Sequence, residues 1–470
     1  MRGKRGIAAV AALALAGGCG VGEDYQRPAT ETPAAWAAPV APAEAWPAAD
    51  WWRRFGSPTL DSYMTQAQAA NLDLAAAMAR VRQADAQARV SGAPLLPALD
   101  LSTQAQRQLQ PSTQTSSSAS GAKVRSDPKT TFNGTLNASY EIDFWGKNAA
   151  AAESALAAAQ ASRFDQQTVA LTVQSGVATT YFEILGLRDR LTVARANVAN
   201  AEDVLAAIRD RQRFGTATDL DVAQQESVVA GLRAAPPPLE QQLRQDVNAL
   251  ALLIGRLPEK VDVTAGALAD LKMPVVAPGL PSDLLARRPD VRFAEAQLVA
   301  ANADLTAARA ALFPSVKLTV EYGFESVALS TLLHGSNTLY SLAAGLTQPI
   351  FHGEALRGEK ELKEARYDEL VQTYRKAVLS AFSDVENALV AARKTREEED
   401  AQQVAVDTAR RANEISVAQF RAGLVDITTL LNTQKTLFSA QDALVQARLA
   451  HVQALVGLFK ALGGGWRAED

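Results

Sequence analysis

Apolar and polar positions recur along this chain with two different periods, and the switch between them occurs twice. Residues 71–93 and 289–312 are rich in Ala, Arg and Gln and carry apolar positions at helical spacing. The second tract opens on Pro289 and Asp290, which suit a first helical turn. Each helix then runs into period-two segments. Leu99, Leu101, Thr103 and Ala105 alternate with Asp100, Ser102, Gln104 and Gln106. After a Ser/Thr/Gly loop at 111–129, Phe132, Gly134, Leu136, Ala138, Tyr140 and Ile142 alternate with Asn133, Thr135, Asn137, Ser139, Glu141 and Asp143. The later half repeats the device: Val316, Leu318, Val320, Tyr322 and Phe324 alternate with Lys317, Thr319, Glu321 and Glu325. A fourth segment runs from Tyr340 to Ile350. The pattern predicts four strands of about ten residues, apolar on one face and polar on the other, as in an outer-membrane barrel. A half-buried soluble sheet alternates in the same way.

A very long helical tract follows each strand pair, at about 147–213 and 354–421, each able to reach about 100 Å at 1.5 Å per residue. Both end in similar turns, RFGTATDLD (213–221) and QFRAGLVDI (419–427). Gly215 and Gly423 are expected as left-handed C-caps, and Thr218 and Asp426 as N-caps of the returning helices. Pro236–Pro238 interrupt the first return; 425–462 is uninterrupted. The charged run 393–400 reads as a solvated face.

A shift of 217 positions superposes Asp73 on Asp290, Ala79 on Ala296, Ala84 on Ala301, Leu95 on Leu312, Pro97 on Pro314 and Leu101 on Leu318. The chain therefore reads as two equivalent repeats, 57–265 and 281–470, joined by a Pro/Gly-containing linker at 266–280. The fold class expected is mainly α with transmembrane β: a long helical coiled-coil barrel plus four strands per chain. Four strands cannot close a transmembrane barrel, whose smallest forms have about eight, so subunits must pool them.

The N-terminus sets the compartment. Residues 1–18 carry basic Arg2, Lys4 and Arg5, then an apolar run from Ile7 to Ala16, then small residues, which is a secretory signal layout. The only cysteine, Cys19, follows directly. Leu15-Ala16-Gly17-Gly18-Cys19 resembles the lipobox of bacterial lipoproteins, with Leu15 one place early, and implies acylation at Cys19. Gly20, in place of Asp, agrees with export to the outer membrane. Residues 19–56, with many Pro and Trp, read as a lipid-anchored extended strap. No other stretch has the roughly 18 uninterrupted apolar residues of a membrane helix, so strands must do any spanning. The aromatics Phe144, Trp145 and Phe351 stand where an interfacial girdle would.

Composition narrows the function. With 48% hydrophobic but only 6% aromatic residues, small side chains supply the apolar surface, which suits closely packed long helices. A formal charge of −4, made three units more negative by loss of the signal, excludes a basic field for nucleic acid. One cysteine and three scattered histidines give no metal cluster. No carboxylate pair has the setting for acid/base work, so no catalytic residue, metal or cofactor is assigned.

The string LPSDLLARRPDVRFAEAQLVAANADLTAARAALFPSVKL (280–318) strongly resembles the outer-membrane efflux proteins, the trimeric ducts of tripartite multidrug pumps. Supporting blocks run almost end to end: DYQRP (24–28), WWRRFGSPTLD (51–61), YEIDFWGK (140–147), NALALLIGRLP (248–258) and KALGGGW (460–466). The similarity implies a homotrimer with a 12-stranded barrel in outer-membrane lipid and a periplasmic helical barrel. It also implies a periplasmic adaptor (membrane fusion) protein and an inner-membrane resistance-nodulation-division pump as partners. The function implied is a passive exit duct for small molecules such as drugs. Type I protein secretion, metal-ion efflux and a non-channel coiled-coil scaffold are the alternatives. By resemblance the periplasmic end closes near the turns. Asp221 matches an acidic gate position, while the second turn offers Thr429 and Asn432 with Asp426 nearby. Leu424 and Val425 are apolar gate candidates. Arg213, Gly215, Thr216, Arg421 and Gly423 are candidate adaptor contacts. Asp221 and Asp426 are equally readable as helix caps, or as partners of Arg213 or Arg421.

Overall fold

The computed structural model describes residues 21–37, 46–109, 128–264, 266–276 and 278–466. Helices α1 (Pro58–Ala70) and α2 (Leu72–Gly92) lead into strands β1 (Ala98–Gln108) and β2 (Lys129–Ile142). Then come α3 (Lys147–Arg213), α4 (Asp219–Arg233) and α5 (Pro236–Leu253). The second set is α6 (Pro281–Arg287), α7 (Pro289–Ala310), β3 (Ser315–Ser326), β4 (Thr338–Thr347), α8 (Ala355–Arg421) and α9 (Ile427–Ala461). Both 67-residue helices end where the sequence places them, because a left-handed glycine follows each. Strand β4 stops at Thr347, short of the expected Ile350, since Pro349 has no amide hydrogen to extend the ladder. Among the described residues no helix is long and apolar enough to cross a membrane.

The chain divides into two compact units, each assembled from separate segments. One comprises Met1–Arg27, Arg82–Gln160 and Glu295–Gln372 and holds the sheet. All four strands pair antiparallel in the order β1-β2-β3-β4, so the central pairing joins the two sequence repeats. Beneath the strands, Trp145 stacks on Phe313 at 4.8 Å and donates its indole N–H to the Pro314 carbonyl at 2.8 Å. Trp145 is therefore a brace between the foot of β2 and the foot of β3, its half-buried indole N–H finding an acceptor across the two repeats. Phe144 and Phe351 are exposed, as a girdle requires.

The other unit comprises Pro28–Val81, Ala161–Ala294 and Thr373–Asp470. Its aromatic core holds Trp51, Phe55, Phe182 and Phe459, with Trp51 stacked on Phe459 at 5.0 Å. Trp51–Phe55 is a 3-10 helix, so the expected extended strap ends in a buried turn that drives three apolar side chains into the core. Arg288, almost buried, binds Asp290 through two bonds of 2.9 and 2.6 Å, the Ala461 carbonyl at 3.2 Å and Asp384 at 3.0 Å. One guanidinium thus ties α7 to α8 and α9. The charged run on α8 is solvated except at Glu399, which accepts from Arg448 at 3.0 Å and meets His451 Nδ1 at 2.7 Å on α9.

Candidate functional site

Two regions carry the expected function: the faces of the sheet and the turns that end the long helices. In an antiparallel ladder, directly paired residues point to one side. The rows Leu101–Leu136–Tyr322–Tyr340, Leu99–Ala138–Val320–Leu342 and Ile142–Val316–Leu346 therefore lie on one face. That face is apolar, and Leu101, Tyr340, Leu342 and Leu346 are each more than 70% exposed. The opposite face carries the row Asp100–Asn137–Glu321–Ser341 and the row Ser102–Thr135–Gly323. Ser102 and Thr135 hydroxyls bond at 2.9 Å, and Asn137 donates to Ser102 at 3.0 Å. Gly323 is required there: a Cβ would stand 2.3 Å from the Gly134 carbonyl oxygen.

The turns are built alike. Gly215 has φ 74° and Gly423 φ 72°. After α3, the Gly215 amide donates to Gln212 O and the Thr216 amide to Arg211 O, both at 2.9 Å. After α8, Gly423 donates to Phe420 O at 3.0 Å and Leu424 to Gln419 O at 2.9 Å. Both ends are thus Schellman motifs. The returning helices exchange cap chemistry. Thr218 caps α4 and closes a capping box in which its amide donates to Asp221 Oδ2 at 2.8 Å. Asp426 caps α9 by accepting from the Thr429 amide at 2.8 Å. Thr then Asp in one turn corresponds, 208 positions on, to Asp then Thr in the other. Hydrogen bonds from Thr429 hold the Asp426 carboxyl below the usual carboxylate range.

Among the described residues neither carboxylate is bonded to an arginine. Arg213 pairs with Asp210 on its own helix, and Arg421 has no ion-pair partner among the described residues. Arg211, which the sequence reading passed over, joins the two turns: it donates to the Phe420 carbonyl at 2.8 Å and lies 4.6 Å over the Phe420 ring. Leu424 is exposed, whereas Val425 packs against a cluster of Ile208, Phe420, Ile427 and Leu430. Phe214 and Leu220 are also exposed beside the first turn, and Asn432 lies one turn into α9.

The strap follows α7 within the sheet-bearing unit. Arg27 binds Glu295 through two bonds of 2.6 and 2.9 Å, the Glu23 carbonyl accepts from Asn302 at 3.1 Å, and Gly22 abuts Thr306. It therefore climbs toward Ser315, where β3 begins. Cys19 and the signal lie outside the described residues.

The sequence pattern of the outer membrane efflux proteins matches residues 63–256 and 280–464. The chain belongs to the outer membrane efflux protein family. This efflux protein is 42% identical over 440 residues to the pyoverdine export outer membrane protein OpmQ of Pseudomonas putida, covering 93% of each chain. It is 43% identical over 421 residues to OpmQ of Pseudomonas aeruginosa, covering 89% of this chain and 88% of that one. Among solved structures it is similar to the outer-membrane channel OprN, with TM-score 0.88, 26% identity, and 95% and 100% of the two chains covered. The fold is that of the outer-membrane efflux channels, mainly helical with four antiparallel strands.

Proposed function

We propose that this efflux protein is a homotrimeric, lipid-anchored exit duct that passes small molecules from an inner-membrane pump across the outer membrane. The observation that carries this reading is the sheet. It offers an exposed apolar face, an opposite polar face, and two edge strands, β1 and β4, each paired on one side only. An open edge in lipid leaves backbone groups without partners, so further strands must close it. Three copies supply twelve strands, enough for a barrel with a water-filled interior.

The two repeats, 57–265 and 281–470 with their linker at 266–280, each supply two strands and a helical hairpin to this plan. The strap supports acylation at Cys19. Two residues, Gly20 and Val21, separate Cys19 from Gly22, a reach of at most about 11 Å over three steps of chain, and Gly22 sits against Thr306 of α7, nine positions before β3. Diacyl and N-acyl chains together would anchor stably where one chain would not. The turns are the reading's gate and adaptor contacts, and a resistance-nodulation-division pump with its membrane fusion adaptor is the partner set. Relatives named for pyoverdine export support a small secreted compound as cargo.

Single-channel recording of the purified protein in a planar bilayer tests the duct. Discrete conductance steps are expected; a protein that assembles and inserts yet never conducts, even with both turns opened by substitution, refutes it. Labelled palmitate should enter wild type and not Cys19→Ser.

A further inference from the structure

The two hairpin connections, at the strand ends opposite those that join α3 and α8, differ in chemistry. That between β1 and β2, residues 109–128, is rich in Ser and Thr and carries Lys123, Arg125 and Asp127. The β3–β4 connection, 327–337, carries no charged residue, and no Asp, Glu, Lys or Arg occurs anywhere between Glu325 and Glu354. Within it Val327, Leu329 and Leu333 are 63%, 66% and 77% exposed. Three large apolar side chains in one short uncharged loop make a patch, and such a patch marks a surface that leaves water on meeting its partner.

This loop also satisfies its own polar groups. The amides of Thr331, Leu332, His334 and Asn337 donate to the carbonyls of Ala328, Leu329, Thr331 and His334 at 3.2, 3.3, 3.1 and 2.9 Å. The Asn337 side chain donates to the Thr331 carbonyl at 2.7 Å, and the Thr338 hydroxyl to the Gly335 carbonyl at 2.9 Å. Irregular backbone beside hydrocarbon needs such internal bonds, because no water is there to supply them.

Ser326 fixes the side to which the loop turns. The row Ala105–Phe132–Ser326 has the same parity as Leu101–Leu136–Tyr322, so the Ser326 side chain stands on the apolar face. Ser326 is buried, its hydroxyl bonded to the Thr331 hydroxyl at 2.7 Å and accepting from the Ala328 amide at 3.3 Å. The loop therefore folds over the apolar side of the sheet. From the row of Val316 to that of Ser326, β3 rises about 34 Å along its axis, or about 25 Å in height at a tilt of about 40°, which is the height of the apolar band of an outer-membrane barrel. The loop thus begins at the outer edge of that band and bends toward the lipid.

We propose that the β3–β4 loop is a lipid-docking collar, which seats Val327, Leu329 and Leu333 among the acyl chains of the outer leaflet. The proposal rests on the duct reading and adds a membrane contact beyond the barrel wall. Three such loops would grip the outer leaflet around the rim of the trimer.

The chain's single cysteine makes the test clean. In a Cys19→Ser background, bimane is attached in turn to Leu333→Cys in the loop, Leu342→Cys on the apolar face and Glu325→Cys on the polar face. Each full-length protein, its mass confirmed as a trimer, is reconstituted into phosphatidylcholine vesicles with or without brominated acyl chains, and iodide on both sides of the membrane serves as the quencher from water. The Leu333→Cys reporter is expected to lose as much fluorescence to brominated lipid as Leu342→Cys does, and less to iodide than Glu325→Cys does. Leu329→Cys serves if Leu333→Cys does not assemble.

Loop reporters that escape brominated lipid while Leu342→Cys is quenched by it overturn the collar and leave the duct standing. That holds whether they meet iodide or crosslink to their copies across the mouth of the trimer. If Leu342→Cys escapes brominated lipid as well, the sheet does not stand in lipid, and the duct reading falls with the collar.

Discussion

The four-stranded sheet and the two helical turns meet the demand for satisfied surface in opposite ways. The turns close on themselves: a left-handed glycine, two backbone bonds and a side-chain cap occupy the groups that a helix end leaves free. The sheet does the reverse. It leaves large apolar side chains exposed and strands β1 and β4 open on one side. A turn of this kind would keep its shape in an isolated chain, while the sheet has a stable environment only in lipid and among further strands. Assembly is therefore demanded by the sheet, and any closure at the turns follows from how assembly brings them together.

The largest expected effect breaks that contrast on the sheet side. Leu136→Arg puts a charge on the lipid face and should cost about 2–4 kcal/mol per chain if it lies near the midplane, removing the trimer from the outer membrane. Asn137→Arg, one residue away on the polar face, should leave assembly intact. Equal damage from both, read by the trimer yield in membranes, would mean that the two faces are not distinguished by lipid.

Next in size are the turns. Gly215→Ala and Gly423→Ala place a Cβ at φ near +70°, at a cost of about 1–2 kcal/mol each. Hydrogen exchange should show loosening confined to the altered turn, with trimer yield unchanged. The two effects should match, since the bonding of the two turns matches.

A smaller effect separates Arg211 from Arg213. Arg211→Ala loses a charged bond to a backbone carbonyl and a ring contact, about 1–2 kcal/mol in a partly exposed place. Exchange should rise at both turns, because this residue links them. Arg213→Ala removes only an exposed pair within one helix and should change stability by less than about 1 kcal/mol.

The elements were legible in the sequence where a local rule decides them. Both long helices end at a glycine, and the strands alternate with period two, so their limits follow from short stretches of chain. Contacts across helices were not legible. Nothing near Arg211 names Phe420, and nothing in the charged run of α8 singles out Glu399 as the acceptor of Arg448 and His451, because the rotation of each helix about its axis decides which side chains meet. The bond from Trp145 to the Pro314 carbonyl was not legible for the same reason, since its acceptor is brought across from the other repeat. At the turns, the cap motifs gave the bonding of Thr218 and Asp426 but not the absence of an arginine beside Asp221.

The smallest effect is a pH dependence. Asp426 is held below its ordinary range in the folded chain, so its cap stabilises α9 above the unfolded carboxylate pKa of about 3.9 and weakens as pH falls through the lower folded value. Glu183 has the opposite sign: burial, then the nearby Asp246, raise it, so it favours the folded state at low pH and loses that contribution as pH rises. Asp426→Asn should lower the melting temperature slightly at pH 7 and converge with wild type in acid. Glu183→Gln, which keeps an acceptor for Gln453, should raise it slightly at pH 7 and also converge in acid.

The pooling of strands between subunits is tested most directly by mass. Native mass spectrometry of the detergent-solubilised, mature protein should give three times the mass of one chain, with no stable monomer. A monomer that inserts into a bilayer and conducts by itself would contradict the trimeric duct.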